Sequence, residues 1–119
     1  MCEIAKVDGV TKRLEKARLH LNQIIADPSI VFAVNSNQLE ATQQQIKTLI
    51  KDISKKDKND IRLPHIKEVE HKLINLKKNL LEIEKGNTSK KKIANLKNEA
   101  NKNISESLNQ LNFIEKINK

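Results

Sequence analysis

Apolar residues recur in this chain at alternating steps of three and four, and little interrupts them. Val7, Val10, Leu14, Ala17, Leu21 and Ile24 follow steps of 3, 4, 3, 4, 3, and Ile66, Val69, Leu73, Leu76, Leu80 and Ile83 repeat that rhythm. An α-helix turns once every 3.6 residues, so this spacing lays an apolar stripe along one side of a helix. A stripe of that kind leaves water only when another stripe covers it. With two glycines and two prolines in 119 residues, the helices have few places to stop.

The chain is long enough for one modest core and too short for two. Its apolar fraction of 37% is low and its charged fraction of 32% is high, as in helices with one buried and one charged face. Two phenylalanines and no Trp or Tyr leave the core to Ile, Leu, Val and Ala. These observations predict an all-α protein: one domain over residues 1–119, an antiparallel bundle of three to four amphipathic helices with coiled-coil-like packing. A helical hairpin that completes its core by dimerising is the rival architecture.

The first helix is expected over about 3–26, with Asp8 and Gly9 able to delay its start by a turn. Asp27 and Pro28 end it or open the next, because Asp caps well and Pro is tolerated in a first turn. The apolar run Ile30–Val34 is too short to assign by periodicity; a helical turn or packed connector over 28–34 is the expectation. Asn35, Ser36 and Asn37 read as a loop or cap. Leu39, Thr42, Ile46, Leu49 and Ile53 mark a second helix over about 37–54. Pro64 opens a third over 64–85, closed by Gly86 and Asn87. Thr88 or Ser89 caps a fourth over 89–118, with a stripe through Ile93, Leu96, Ala100, Ile104, Leu108, Leu111, Ile114 and Ile117. Ile74 and Leu81 flank the third helix's stripe, so that helix is expected to touch neighbours on two sides.

Constellations that carry chemistry are sparse. Glu68 and His71 have the Glu-x-x-His spacing of di-iron bundles, but the motif occurs once and falls outside the stripe of Val69 and Leu73. Arg13 and His20 resemble the Arg-x4–6-His pattern of some helical-bundle ribonucleases, without the usual polar residue after the arginine. No nucleophile has a recognisable base, and no glycine-rich phosphate loop is present. The reading is a non-enzymatic protein with no metal and no cofactor. No window approaches the roughly 18 apolar residues of a membrane span. Cys2 is the single cysteine, which with the lack of an apolar leader favours an intracellular setting over a lipoprotein remnant.

The formal charge of +8 rests almost wholly on lysine; Arg13, Arg18 and Arg62 are the three arginines. Lys55, Lys56 and Lys58 form one cluster and Lys90, Lys91 and Lys92 another, and together they could make a basic end to the bundle. Lysine at a helix start, as at Lys90, Lys91 and Lys92, opposes the helix dipole and concentrates positive charge, and with the Lys55 cluster this makes six candidate anion-binding residues. A solvated, compositionally lysine-rich surface is the simpler account of them.

Two stretches are similar to tubulin-binding cofactor A. Gly9-Val10-Thr11-Lys12-Arg13-Leu14 resembles that family's first helix, and Arg62-Leu63-Pro64, followed by Leu73, Leu76 and Leu80, resembles its later helix start. The family's aspartate-aliphatic-Lys-Lys-Gln stretch is absent, with only Gln43, Gln44 and Gln45 nearby. The resemblance implies a three-helix bundle that holds unassembled β-tubulin.

The leading expectation is a protein-interaction or structural module. It would bury spare apolar stripe, with Ile74 and Leu81 as the partner-facing residues and lysines around them, against a partner protein or a second copy. The second is a basic protein that binds nucleic acid, anionic lipid or glycosaminoglycan through the lysine clusters. The third is the β-tubulin chaperone that the resemblance implies.

Overall fold

The computed structural model describes residues 4–27, 29–30, 32–86 and 89–118. Four helices follow in order: α1 (Val10–Asn22), α2 (Phe32–Lys56), α3 (Leu63–Lys85) and α4 (Lys90–Asn118). Each packs against two neighbours, α1 on α2, α2 on α3, α3 on α4 and α4 on α1, while the diagonal pairs do not meet. The result is a closed helical bundle with extents of 51 × 23 × 19 Å. Cross-helix contacts give its direction. Arg13 and His20 of α1 meet Asp52 and Gln38 of α2, and Asn79, Lys72 and His65 of α3 meet Glu99, Glu106 and Gln110 of α4. Arg18 and Thr11 of α1 meet Asn112 and Asn118 of α4. In every pair one number rises as the other falls, so neighbours are antiparallel.

The core is aliphatic, as the composition requires. Leu14, Ala17 and Leu21 of α1, Leu39, Ile46, Leu49 and Ile53 of α2, the α3 stripe from Ile66 to Ile83, and Leu96, Ala100, Leu111 and Ile114 of α4 are all buried. A Leu or Ile side chain taken fully out of water contributes about 1.5–3 kcal/mol, so stripes of this length dominate the stability.

The helix bounds differ from the sequence expectation at the first two elements. Gly9, at φ 72° in the left-handed region, delays α1 to Val10, and the helix ends at Asn22 rather than near residue 26. Two β-branched residues followed by Asp27, which precedes proline, resist further helix. Ile24 and Ala26 stay buried all the same, on non-helical backbone. Asn35 holds that backbone in place: its side-chain oxygen accepts the Ile25 N–H at 3.0 Å and its amide donates to the Ile25 carbonyl at 2.8 Å.

That clamp explains the second correction. The stretch expected as connector 28–34, and Asn35-Ser36-Asn37 expected as a loop or cap, belong from Phe32 onward to α2. The polar residues serve tertiary contacts instead of ending the helix. A carboxylate from another helix caps the start, with the Phe32 N–H donating to Glu84 Oε2 at 2.7 Å, which also suits the helix dipole. The expected helical placement of Pro28 lies outside the described residues, as do Val31, Asn87, Thr88 and Cys2.

The third and fourth helices fall within a residue of expectation. Pro64 sits in the first turn of α3, and Gly86 closes it at φ 67°. Ser89 caps α4, accepting the Lys92 N–H at 3.2 Å. The stripe of α4 nevertheless takes another path. Ile104 and Leu108 are only partly buried, and the centre of the face runs from Leu96 and Ala100 through Ser107 to Leu111 and Ile114. Steps of 4, 7, 4 and 3 restore the three-four rhythm once a serine is allowed to occupy a core position.

One end of the bundle is closed by a buried ion pair. Arg62 and Asp60, with side chains 1% and 0% exposed, meet in a two-pronged contact of 2.9 Å from Nε and 2.8 Å from Nη2. Arg62 Nη2 also donates to the Ala5 carbonyl at 2.8 Å, and Nη1 donates to the Asn118 side-chain oxygen. Asp60 Oδ2 accepts the Ala5 N–H at 3.0 Å. This clasp therefore joins the N-terminal segment, the α2–α3 connector and the end of α4, and satisfies most of what a buried charge pair demands.

Burial alone would push the Asp60 carboxyl up. Hydrogen bonds from the Arg62 side chain, the Arg62 backbone and Ala5, together with the guanidinium charge, outweigh it and hold the group at about 2, below its ordinary 3.8. A carboxyl lowered on folding contributes stability that is complete above its unfolded value and is lost as pH falls through its folded value. Unfolding free energy from urea titrations should therefore decline between about pH 4 and pH 2. In Asp60→Asn, which strands Arg62, stability at neutral pH should drop by about 3–5 kcal/mol and the Asp60 share of that acid decline should vanish.

Candidate functional site

Both residues named as partner-facing lie on the surface of α3. Ile74 is 45% exposed and Leu81 39% exposed, against 4% for Leu80 beside it. Seven residues separate them, which places them two turns apart on one flank of the helix. That flank faces α2, because Leu81 lines a shallow depression with Phe32, Ala33 and Ser36 of α2 and with Glu84 and Lys85 of its own helix. Lys77, between the two apolar residues in sequence, is exposed, as is Lys85, whereas Lys78 lines the α3–α4 side with Leu96 and Glu99. An apolar strip with a lysine margin thus runs along the α2–α3 seam. The expectation that α3 touches neighbours on two sides agrees with its packing on α2 and α4.

The opposite flank of α3 is polar and already occupied. Asn103 Nδ2 donates to Asn79 Oδ1 at 2.9 Å, and Asn79 Nδ2 donates to Glu99 Oε2 at 3.1 Å. Lys72 lies 3.4 Å from Glu106, and Gln110 Nε2 donates to Glu68 Oε2 at 2.8 Å. These contacts fix the register of α3 on α4. Amides and charges paired to one another across a seam bind each other rather than a ligand.

The two lysine clusters do not form a single basic end. Lys55 and Lys56 occupy the last turn of α2, with Lys58 just beyond, whereas Lys90, Lys91 and Lys92 occupy the first turn of α4. In an antiparallel bundle those positions are at opposite ends of the long axis. The first group suits the negative C-terminal end of the α2 dipole, and the second opposes the positive N-terminal end of α4.

The remaining candidates are spread apart. Glu68 and His71 are exposed, and among the described residues no group of three or more His, Cys, Asp or Glu side chains is arranged to hold a metal. Arg13 and His20 are each engaged by α2, the first with Asp52 at 2.6 Å and the second with Gln38 Oε1 at 2.8 Å. No helix of the described residues is long and apolar enough to cross a membrane.

Sequence reasoning missed the residues that position these surfaces. Asn35, Asp60 and Arg62 are buried polar groups at 3%, 2% and 1% exposure, and they pin the two ends of α2 to the rest of the fold. The spacing Asp60-x-Arg62 just ahead of Pro64 was a usable signal. An aspartate two residues before a helix start accepts backbone and side-chain hydrogen bonds from the residue at that start.

Comparisons with protein-family models, curated proteins and solved structures find no match to this chain. The stretches that resemble tubulin-binding cofactor A fall at the starts of α1 and α3, and the bundle has four helices where the resemblance implies three.

The exposures make a direct prediction about tolerance. Leu81→Ser and Ile74→Ser should each cost about 1 kcal/mol or less, as partly exposed positions do, while Leu80→Ala and Leu73→Ala should cost about 2–5 kcal/mol. Chemical denaturation of the four variants compared with the parent chain checks it.

Proposed function

We propose that this chain is a non-enzymatic helical-bundle interaction module whose docking face is the α2–α3 seam. The observation that supports this is the pair Ile74 and Leu81, large apolar side chains left 45% and 39% exposed two turns apart on one flank of an otherwise well-covered helix. An amphipathic helix of a partner, laid along the seam, would bury both residues together with Phe32 and Ala33. Lys77 and Lys85 stand beside that face, where Glu84 is committed to the Phe32 N–H, so an acidic border on the partner speeds encounter and sets orientation. The apolar pair supplies the affinity, because exposed charge pairs contribute little on their own.

Photo-crosslinking separates this face from general stickiness. A photoreactive residue at position 81, in the cell or in lysate, should give a discrete adduct. The same residue at position 19, where Leu19 is 58% exposed on α1, should not. Ile74→Asp together with Leu81→Asp should keep the helical circular-dichroism signal and abolish the competing association of the untagged chain. Equal crosslinking from both positions, or undiminished competition by the double variant, would remove the proposal.

A further inference from the structure

The clasp at the Arg62 end has a second effect, on a residue that the periodic pattern does not single out. Ala5 is held through both its N–H and its carbonyl, so the next residue, Lys6, is carried to the end of α2. There Lys6, Lys55, Lys56 and Arg13 line one open depression together with Asp8 and Asp52. The helix dipole explains why lysines suit the last turn of α2, but it does not explain Lys6, which lies on non-helical backbone.

The charges in this depression are unevenly spent. Arg13 pairs with Asp52 at 2.6 Å and donates to the Asp8 carbonyl at 3.2 Å, which fixes the guanidinium and neutralises Asp52. Lys6, Lys55 and Lys56 have no ion-pair partner among the described residues, and Asp8 is the one lining carboxylate left to offset three ammonium groups. Like charges gathered on a rigid frame raise the local potential, and a multiply charged anion relieves it.

We infer that this depression is a binding site for a compact oligophosphate, a group of two or more linked phosphates. Lysine ammonium groups meet phosphate oxygens as mobile point charges, which suits a ligand defined by charge density rather than by a planar shape. None of the lining residues is aromatic, so a nucleobase finds no stacking surface. Asp8 and Asp52 at the same site disfavour a long polyanion that would have to run past them. The site is separate from the α2–α3 seam and stands or falls independently of it.

Titration calorimetry of the full chain with tripolyphosphate at low salt tests this. The triple variant Lys6→Gln, Lys55→Gln, Lys56→Gln should weaken binding roughly tenfold or more, since each lost charge contact contributes a fraction of that. The control Lys90→Gln, Lys91→Gln, Lys92→Gln removes the same formal charge from the opposite end and should change affinity less than about twofold. ATP should bind about as tightly as tripolyphosphate. Equal weakening by both triple variants would show diffuse attraction to a basic protein and overturn the site. So would no weakening by either, an affinity for ATP far above that for tripolyphosphate, or tighter binding of duplex DNA. All six substitutions are at exposed positions, so circular dichroism should show both variants folded like the parent.

Discussion

Four apolar stripes built without tryptophan or tyrosine can leave water only by covering one another, and that constraint shapes everything else in the molecule. Aliphatic side chains interlock at short range and tolerate no gaps, so each helix must present its stripe to two neighbours at once. Antiparallel packing with brief connectors meets that demand within one chain. Aliphatic stripes are also permissive, because one leucine fits almost where another does. The polar residues set into them remove that freedom. Asn35 accepts only the backbone of Ile25, and Asn79 only the pair Glu99 and Asn103, so a helix that slides by one turn strands buried amides. Stability comes from the leucines and isoleucines, register from the asparagines.

Much of the fold was legible for the same reason. The stripes of α1 and α3 follow the three-four rhythm without a fault, and Pro64 and Gly86 mark the limits of α3 almost to the residue. Legibility failed where a residue's role depends on something distant in sequence. Asn35-Ser36-Asn37 carries the local chemistry of a cap, and no neighbouring residue reveals that its amide is claimed by Ile25 or that Glu84 caps Phe32 from another helix. Ser107 is a second instance. Periodicity weighted by hydropathy follows Ile104 and Leu108, but helix geometry passes through the serine. The candidate surfaces divide in the same way. Ile74 and Leu81 could be placed on a flank from their spacing alone. Lys6 could not be joined to Lys55 and Lys56 without the clasp that carries it there.

The distribution of surface features gives the bundle three chemically distinct zones with little overlap. The α2–α3 seam is apolar with a lysine margin, the α3–α4 seam is polar and cross-linked by side-chain pairs, and the Arg62 end gathers lysines that have no ion-pair partner among the described residues around a shallow depression. A net charge of +8 acts over all three and favours acidic partners of any kind. On the readings proposed above, discrimination comes from short-range features, an apolar pair in one zone and a cluster of ammonium groups in another.

The clasp also carries an entropic cost. It ties Ala5 to Asp60 and Arg62 across separations of 55 and 57 residues, and Arg62 to Asn118 across 56, while Asn79 and Asn103 are only 24 apart. Closing a loop costs about 0.6 kcal/mol more for each doubling of its length, so the clasp carries the larger closure cost of the two. Its charges also leave water when it closes, which adds a desolvation cost that aliphatic contacts do not carry. The position of Lys6 beside Lys55 and Lys56 therefore rests on contacts made far along the chain, through Asp60 and Arg62.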